Sequence, residues 1–470
     1  MKIHIILLLS GLMLTLTSCG EAFLDVKPSQ NQRIPATLAD YQALLDNATS
    51  NADPMNIRSS HTLGMIGADE FQLTEAKWKS FPAGVNYSYM KNAYTWEQQI
   101  YEGREGGTVN PIDFETGYKR ILRCNLVLDG LTKLNLLSGE EQAMNNARGS
   151  ALFYRAFDYY NLAQLYCPVY QSEEAESTLG LPLRLNPDPT IKLTRASLAA
   201  TYQQVLKDLE EALPLLEKTS LVLFRPSKTA VFALLARVYL QMGNYVQAEK
   251  YALLGLGLKD QLLDFNTLTI GSNYTFPLYG NGNPEVIFNT TAFNAAILDA
   301  SFAHVDASLL AIYTPGDLRY KAYFRKNAAN QILFYGSYYG NNLLFTGLAT
   351  DELYLVAAES MARLNKTTES MKMLNTLRKC RYEKDSFVLL ETTDAQQVLD
   401  WVIEERRKEL AFRGLRWEDL RRLNKEPRYA KKITRQLGTL KFELLPNTLR
   451  WTWPFPLESI QLGNYVQNAR

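Results

Sequence analysis

Three kinds of residue in this chain could do chemistry. The first is a set of aromatic side chains interleaved with amides and lysines. A sugar ring offers an apolar C–H face and a rim of hydroxyls, so holding one calls for an exposed aromatic plate beside planar amides and charged donors. Lys77-Trp78-Lys79-Ser80-Phe81, followed by Asn86, Tyr87 and Tyr89, has that mixture, and so does Phe334-Tyr335-Gly336-Ser337-Tyr338-Tyr339-Gly340-Asn341-Asn342. Trp78, Tyr87, Tyr89, Tyr335, Tyr338, Tyr339 and Asn341 are therefore the candidate ligand-binding residues. The lysines flanking Trp78 place it on an exposed loop. The opposing expectation is that these aromatics pin loops to a scaffold, as most aromatics are buried. Phe265 to Pro284, a span without charge that holds Tyr274 and Tyr279, is the next candidate.

The second kind is the carboxylate pair Asp69-Glu70. A glycosidase needs two carboxyl groups in opposed environments flanking one bond, and adjacent residues rarely aim at one bond. No catalytic residue is assigned. The third kind is the metal-ligating set, which is poor: four Cys and three His in 470 residues. His61 and His304 lack a Cys or His partner at ligand spacing, so no metal site is assigned. Cys124, Cys167 and Cys380 sit in apolar, helix-like settings and read as buried small hydrophobes; a single disulfide has no preferred pair.

Composition narrows the classes. Fifty Lys and Arg against 49 Asp and Glu give a net charge of +1, which excludes a basic, phosphate-seeking protein and with it a nucleic-acid partner. The densest run, Glu404 to Arg422, mixes both signs and reads as helix-surface ion pairs, with Trp417 packed in the same helix pair. Hydrophobic residues at 46% and charged residues at 21% are globular proportions.

Residues 1 to 18 read as a leader: Lys2, then a short apolar run from Ile5 through Leu16, too short to span a bilayer. Leu16-Thr17-Ser18-Cys19 resembles the bacterial lipobox, which implies cleavage before Cys19 and lipid attachment to it. Residues 19 to 470 are expected to form a single unit.

The elements that must position these residues are mostly helices. The clearest stretch is Ser227 to Leu258, where Ala236 and Ala248 let two antiparallel helices approach, Tyr239 fills the groove and Gly243-Asn244 make the turn. Fainter pairs run over Tyr118 to Leu134 with Ala143 to Tyr166, Asp351 to Leu364 with Thr368 to Arg381, and Ala395 to Phe412 with Arg413 to Leu423. Thr201 to Leu216 supplies the first helix of the Ser227 unit, ended by Pro214. The scaffold thus covers about 118–166, 201–258 and 351–423. Residues 24–117, 167–195, 259–350 and 424–470, richer in Asn, Gly, Pro and Thr, form a loop-rich lobe of short strands and helices.

In order along the chain stand Phe23-Leu24-Asp25-Val26-Lys27-Pro28, Tyr118-x₂-Ile121-x₂-Cys124-Asn125, Ala151 through Tyr166, and Gly180-Leu181-Pro182-Leu183. Glu352-x-Tyr354-Leu355 with Ala358-Glu359, Leu374-Asn375-x₂-Arg378, the run Glu404 to Arg422, Pro454-x-Pro456-x-Glu458 and Gln467-Asn468 follow. In this order they resemble the SusD/RagB family of nutrient-binding outer-membrane lipoproteins of Bacteroidetes. Arg413 departs from the Glu often found there, and pairing with Glu409 at i, i+4 is expected to absorb it. The resemblance implies a mainly α SusD-like fold with four degenerate tetratricopeptide-like helix pairs and a variable lobe. It also implies a lipid-anchored position in the outer membrane facing the cell exterior, glycan or other nutrient binding, and a SusC-like TonB-dependent transporter as partner. No cofactor is implied beyond a structural Ca²⁺ that nothing in the sequence locates. Two alternatives stay open: a tetratricopeptide-like scaffold lipoprotein without a small ligand, and an anchored glycoside hydrolase.

Overall fold

The computed structural model describes residues 35–46, 55, 58–82, 85–101, 112–271 and 273–470, with the side chains of 85–88 outside the description. Cys19 and the leader lie outside the described residues. Among these the fold is mainly helical, and no helix is long and apolar enough to cross a membrane.

Three of the four expected helix pairs form where the apolar spacing places them; the fourth does not, because Ala395–Glu409 packs mainly on Thr350–Arg363 and Thr367–Lys379 while Arg416–Leu423 packs on Thr62–Gly67 and Lys228–Gln241. Ile112–Leu131 packs on Glu141–Tyr166, Lys228–Gln241 on Tyr245–Leu256, and Thr350–Arg363 on Thr367–Lys379. Leu198–Ala212 stops just before Pro214. Side-chain caps set the starts: Ser197 and Ser227 hydroxyls accept from Ala200 and Ala230 N–H, and the Asn244 amide accepts from Gln247 N–H. Ala236 and Ala248 are fully buried at the close approach. Tyr239 packs across the pair, against the partner helix. It lies half-exposed, its ring stacked on Tyr251 at 5.6 Å and 3°.

The run Glu404 to Arg422 differs from a surface ion-pair network, because most of its charges are buried. The helix Ala395–Glu409 ends in a turn where Phe412 takes φ +56°, and Arg416–Leu423 follows. That turn breaks the helical spacing, so Arg413 does not meet Glu409. It pairs with Asp351 at 3.0 Å. Glu409 accepts from Arg319 at 2.9 Å and from Arg381 at 2.8 Å, and Arg381 reaches on to Glu285 at 2.7 Å. Arg319 also binds Asp317 and Glu405 at 2.8 and 2.7 Å. The helix Arg416–Leu423 is pinned by Trp417, whose ring lies 4.6 Å from Trp451 and 5.2 Å from Trp453. A Cβ on Gly67 would come within 2.6 Å of the Trp417 ring, so only glycine fits there.

The loop-rich lobe is stitched by two-stranded ladders. Arg58–Ser59 pairs in parallel with Thr291–Ala292, Phe71–Leu73 antiparallel with Ala303–Val305, and Phe324–Lys326 antiparallel with Ile332–Phe334. Cys124, Cys167 and Cys380 are free thiols. Burial pushes the Cys167 thiol up to about 12, which keeps it protonated and unreactive.

Two outcomes are expected. Gly243 holds φ +72° between its two helices with no close neighbour for a side chain, so Gly243→Val should cost about 1–3 kcal/mol through backbone strain alone. A thermal melt indistinguishable from the parent would contradict it. The second concerns Glu285, held up to about 7 first by burial, with Arg381 pulling down and Asp351 and Glu409 pushing up. An unfolded Glu loses its proton near 4.5, so this contribution is complete below that pH and is lost as pH rises toward 7. Glu285→Gln should therefore gain on the parent in melting temperature between about pH 5 and about pH 7.5. A constant offset across that range would refute the titration.

Candidate functional site

The aromatic candidates separate once their elements are placed. Trp78 sits on a helix, not an exposed loop: Glu75–Ser80, capped by the Thr74 hydroxyl and braced by Lys79–Glu75 at 2.6 Å. Its neighbours Lys77 and Lys79 are exposed, but Trp78 turns inward, half-buried 5.5 Å from Tyr94 and covered by the Lys91 ammonium at 4.7 Å. Tyr87 belongs to the helix Val85–Tyr94, and its side chain lies outside the described residues. Tyr89 on the same helix is buried. Tyr94, Trp96 and Trp417 are core.

Within the second stretch, Tyr338 and Tyr339 are buried rather than exposed, at 1% and 7%. The Tyr338 hydroxyl donates to Glu285 at 2.6 Å and its ring lies 4.8 Å from the Arg413 guanidinium, which makes it part of the ionic core. Burial raises its pKa far above the ordinary tyrosine value. Asn341 spends its carbonyl oxygen on Leu343 N–H at 2.8 Å, shaping the loop. Tyr335 remains half-exposed, and its ring meets Tyr274 at 5.0 Å and 31°.

That contact marks a crevice that spacing did not single out. Tyr274, Asn294, Asp299, His304, Phe334 and Asn342 line it, over a floor of about 60 Å³ that also touches Phe412. The ladder of Phe71–Leu73 with Ala303–Val305 brings His304 to its wall, opposite Gln72 in register. Phe334, stacked on Phe412 at 4.4 Å, fixes the start of the Tyr335 loop. Arg325 donates to Asn273 O and to the Thr275 hydroxyl at 2.9 and 2.7 Å, fixing the segment that carries Tyr274. Asn294 and Asn342 are exposed at the rim, and Asp299 is half-exposed beside them. Burial lowers the His304 pKa against the opposing pull of Asp306. The floor is too small for a ring, so a ligand would lie across the rim.

One further plate stands on the segment carrying Tyr274. Tyr279 is half-exposed, takes φ +62°, and rests on Tyr339 at 5.3 Å. A bulky residue in the left-handed region is strained by about 1–2 kcal/mol. Two bonds hold it there: its N–H donates to Tyr339 O and its carbonyl accepts from Asn289, both at 2.8 Å.

Asp69 and Glu70 are not placed as an acid and base. Asp69 is buried among Arg416, Arg407 and Lys431 at 2.7, 3.3 and 2.5 Å, which hold its carboxyl well below the usual range although burial pushes the other way. Glu70 accepts from Phe412 N–H and is pushed up to about 7 by burial. Glu285, Asp351 and Glu409 bring carboxylate oxygens within 4.8 Å of one another, and the Arg381 guanidinium supplies the positive charge between Glu285 and Glu409.

Residues 22–240 match a SusD-like family model described as starch-binding and associating with the outer membrane, and residues 350–457 match the model of the SusD family. The chain belongs to the SusD/RagB family. Solved SusD-like structures share its fold. A SusD superfamily protein from Bacteroides thetaiotaomicron aligns over 93% of this chain and 100% of its own at 21% identity, with a TM-score of 0.71. A SusD-like carbohydrate binding protein from Bacteroides vulgatus aligns over 92% and 97% at 18% identity, TM-score 0.65. A laminarin binding SusD-like protein aligns over 92% and 96% at 18% identity, TM-score 0.60. No curated protein matches the chain.

Proposed function

We propose that this SusD-like chain is a surface lipoprotein, anchored through Cys19, that binds carbohydrate and hands it to a SusC-like TonB-dependent transporter without catalysis. The observation that carries the reading is Tyr279, an exposed aromatic kept in a strained backbone conformation and backed by a buried ring. Strain of this kind persists where the surroundings over-determine it, which is common at ligand clamps. The Tyr274–Tyr335 pair and the crevice rim groups Asn294, Asp299 and Asn342 belong to the same loop-rich lobe. Plates plus amides and one carboxylate suit a neutral sugar. The carbohydrate-binding relatives of the same fold support that class of ligand. Asp69, engaged by three cations, is not placed as a free acid or base, which favours binding over catalysis.

Tyr279→Gly separates binding from folding. Glycine relieves the positive φ, so the variant should melt at or above the parent temperature, while loss of the plate weakens binding of the best glycan-array hit by about 1–3 kcal/mol in calorimetry. Unchanged affinity would move the site elsewhere; a marked drop in melting temperature would make Tyr279 a packing residue. Tyr274→Ala should weaken the same ligand by a similar amount. Cys19→Ala should release the protein from the outer-membrane pellet on cell fractionation, and retention as firm as the parent's would disprove the anchor.

A further inference from the structure

The crevice beside the Tyr274–Tyr335 contact carries one charge that its shape does not require. Among the described residues lining it, Asp299 is the single acid, and no Lys or Arg stands with it. Its floor of about 60 Å³ admits a substituent but no ring, so whatever enters it hangs from a ring lying across the rim.

Asp299 keeps one carboxylate oxygen for the chain and leaves the other free. Oδ1 accepts from Ser301 N–H at 2.8 Å, and the Asp299 carbonyl accepts from Phe302 and Ala303 N–H, which fixes the turn. Among the described residues Oδ2 has no donor and no cation at ion-pair distance, and the side chain is half-exposed. Its charge reaches the Tyr274 hydroxyl: burial raises that pKa first, and Tyr335 and Asp299 add to it. Two cations on adjoining segments are committed elsewhere. Arg325 donates to the carbonyls of Lys321, Phe324 and Asn273 and to the Thr275 hydroxyl, at 2.6 to 2.9 Å. Lys77 lies over the Phe302 ring at 5.8 Å. His304 on the crevice wall is held below its ordinary pKa by burial, so near neutral pH it adds no charge. A half-exposed carboxylate beside an aromatic side chain, with no protein cation on it, attracts an ammonium. The oxygen offers a charge-assisted bond, and the ring offers its negative face. A sugar hydroxyl can use the same oxygen but brings no opposite charge.

We propose that the crevice selects an amino sugar, its free ammonium group held by Asp299 and Tyr274 and its hydroxyls met by Asn294 and Asn342 at the rim. Neutral residues of the same glycan remain with the aromatic plates; the carboxylate adds a preference for one residue that bears an amine. The choice of a sugar as the carrier rests on the carbohydrate reading above; the ammonium rests on Asp299.

Calorimetric titration of the mature chain with glucosamine, N-acetylglucosamine and glucose tests it, because the three differ only in the group at one ring carbon. At about pH 6.5, where the amine is protonated, glucosamine should bind about ten-fold tighter than the other two. The advantage should shrink as salt is raised. Asp299→Asn keeps an oxygen for Ser301 N–H and should erase the advantage while leaving glucose as it was. Tyr274→Ala, which leaves the Asp299 turn untouched, should weaken glucosamine too, and Tyr279→Gly should leave the preference unchanged. Equal affinity for the three sugars, no measurable glucosamine binding, or a preference that survives Asp299→Asn would each overturn the proposal. A Gly-Lys-Gly peptide that binds as well as glucosamine would overturn the sugar and leave a site for basic peptides. Failure of glucosamine while the best array glycan still binds through Tyr279 would sink this inference alone; failure of every sugar would sink the carbohydrate reading with it.

Discussion

Glu409 is the junction on which the rest of the molecule depends. It closes the helix Ala395–Glu409 and receives Arg319 and Arg381, all three side chains buried. Through Arg381 it reaches Glu285, and through Glu285 the hydroxyl of Tyr338. Such a network is stable only when complete, because removing one partner leaves its neighbours charged and unpaired at about 3–5 kcal/mol. Helical scaffold and loop-rich lobe are therefore joined through charge, and a loop carrying Tyr335, Asn341 and Asn342 inherits the rigidity of helices far from it in sequence. The crevice can hold a shape without regular secondary structure of its own because its floor is bolted to the scaffold.

Much of the scaffold was legible because helix pairing follows a 3.6-residue period that survives in one sequence. Ala236, Ala248 and Gly243 each have a size or conformational requirement that no neighbour can relax, and all three stand where spacing places them. The ionic core was legible only in composition. Arg413 could be seen as a charge, but its partner Asp351 lies 62 residues away, and the local alternative failed because the chain turns at Phe412. The same holds for Tyr338, whose burial is decided by Glu285, 53 residues distant. Trp78 shows a local limit. Exposed lysines on both sides argue for exposure only in an irregular loop; on a helix successive side chains diverge by about 100°, and the tryptophan faces the other way. Tyr279 and Tyr274 lay within a span marked by its lack of charge, and the feature that sets Tyr279 apart, a positive φ on a bulky residue, has no signature in sequence.

The ladders of the lobe also set an order of assembly. Arg58 pairs with Thr291 and Phe71 with Val305, separations of 291 − 58 = 233 and 305 − 71 = 234 residues. The helix pairs, by contrast, close over a few tens of residues. Loop-closure entropy rises with the logarithm of length, so the helical hairpins can form as they are synthesised while both early strands wait unpaired for partners made long afterwards. During that interval their open edges are short, two and three residues, which gives little template for pairing with another chain. The brevity of the strands thus has a kinetic meaning: a lobe knitted last, from pieces too small to aggregate while they wait.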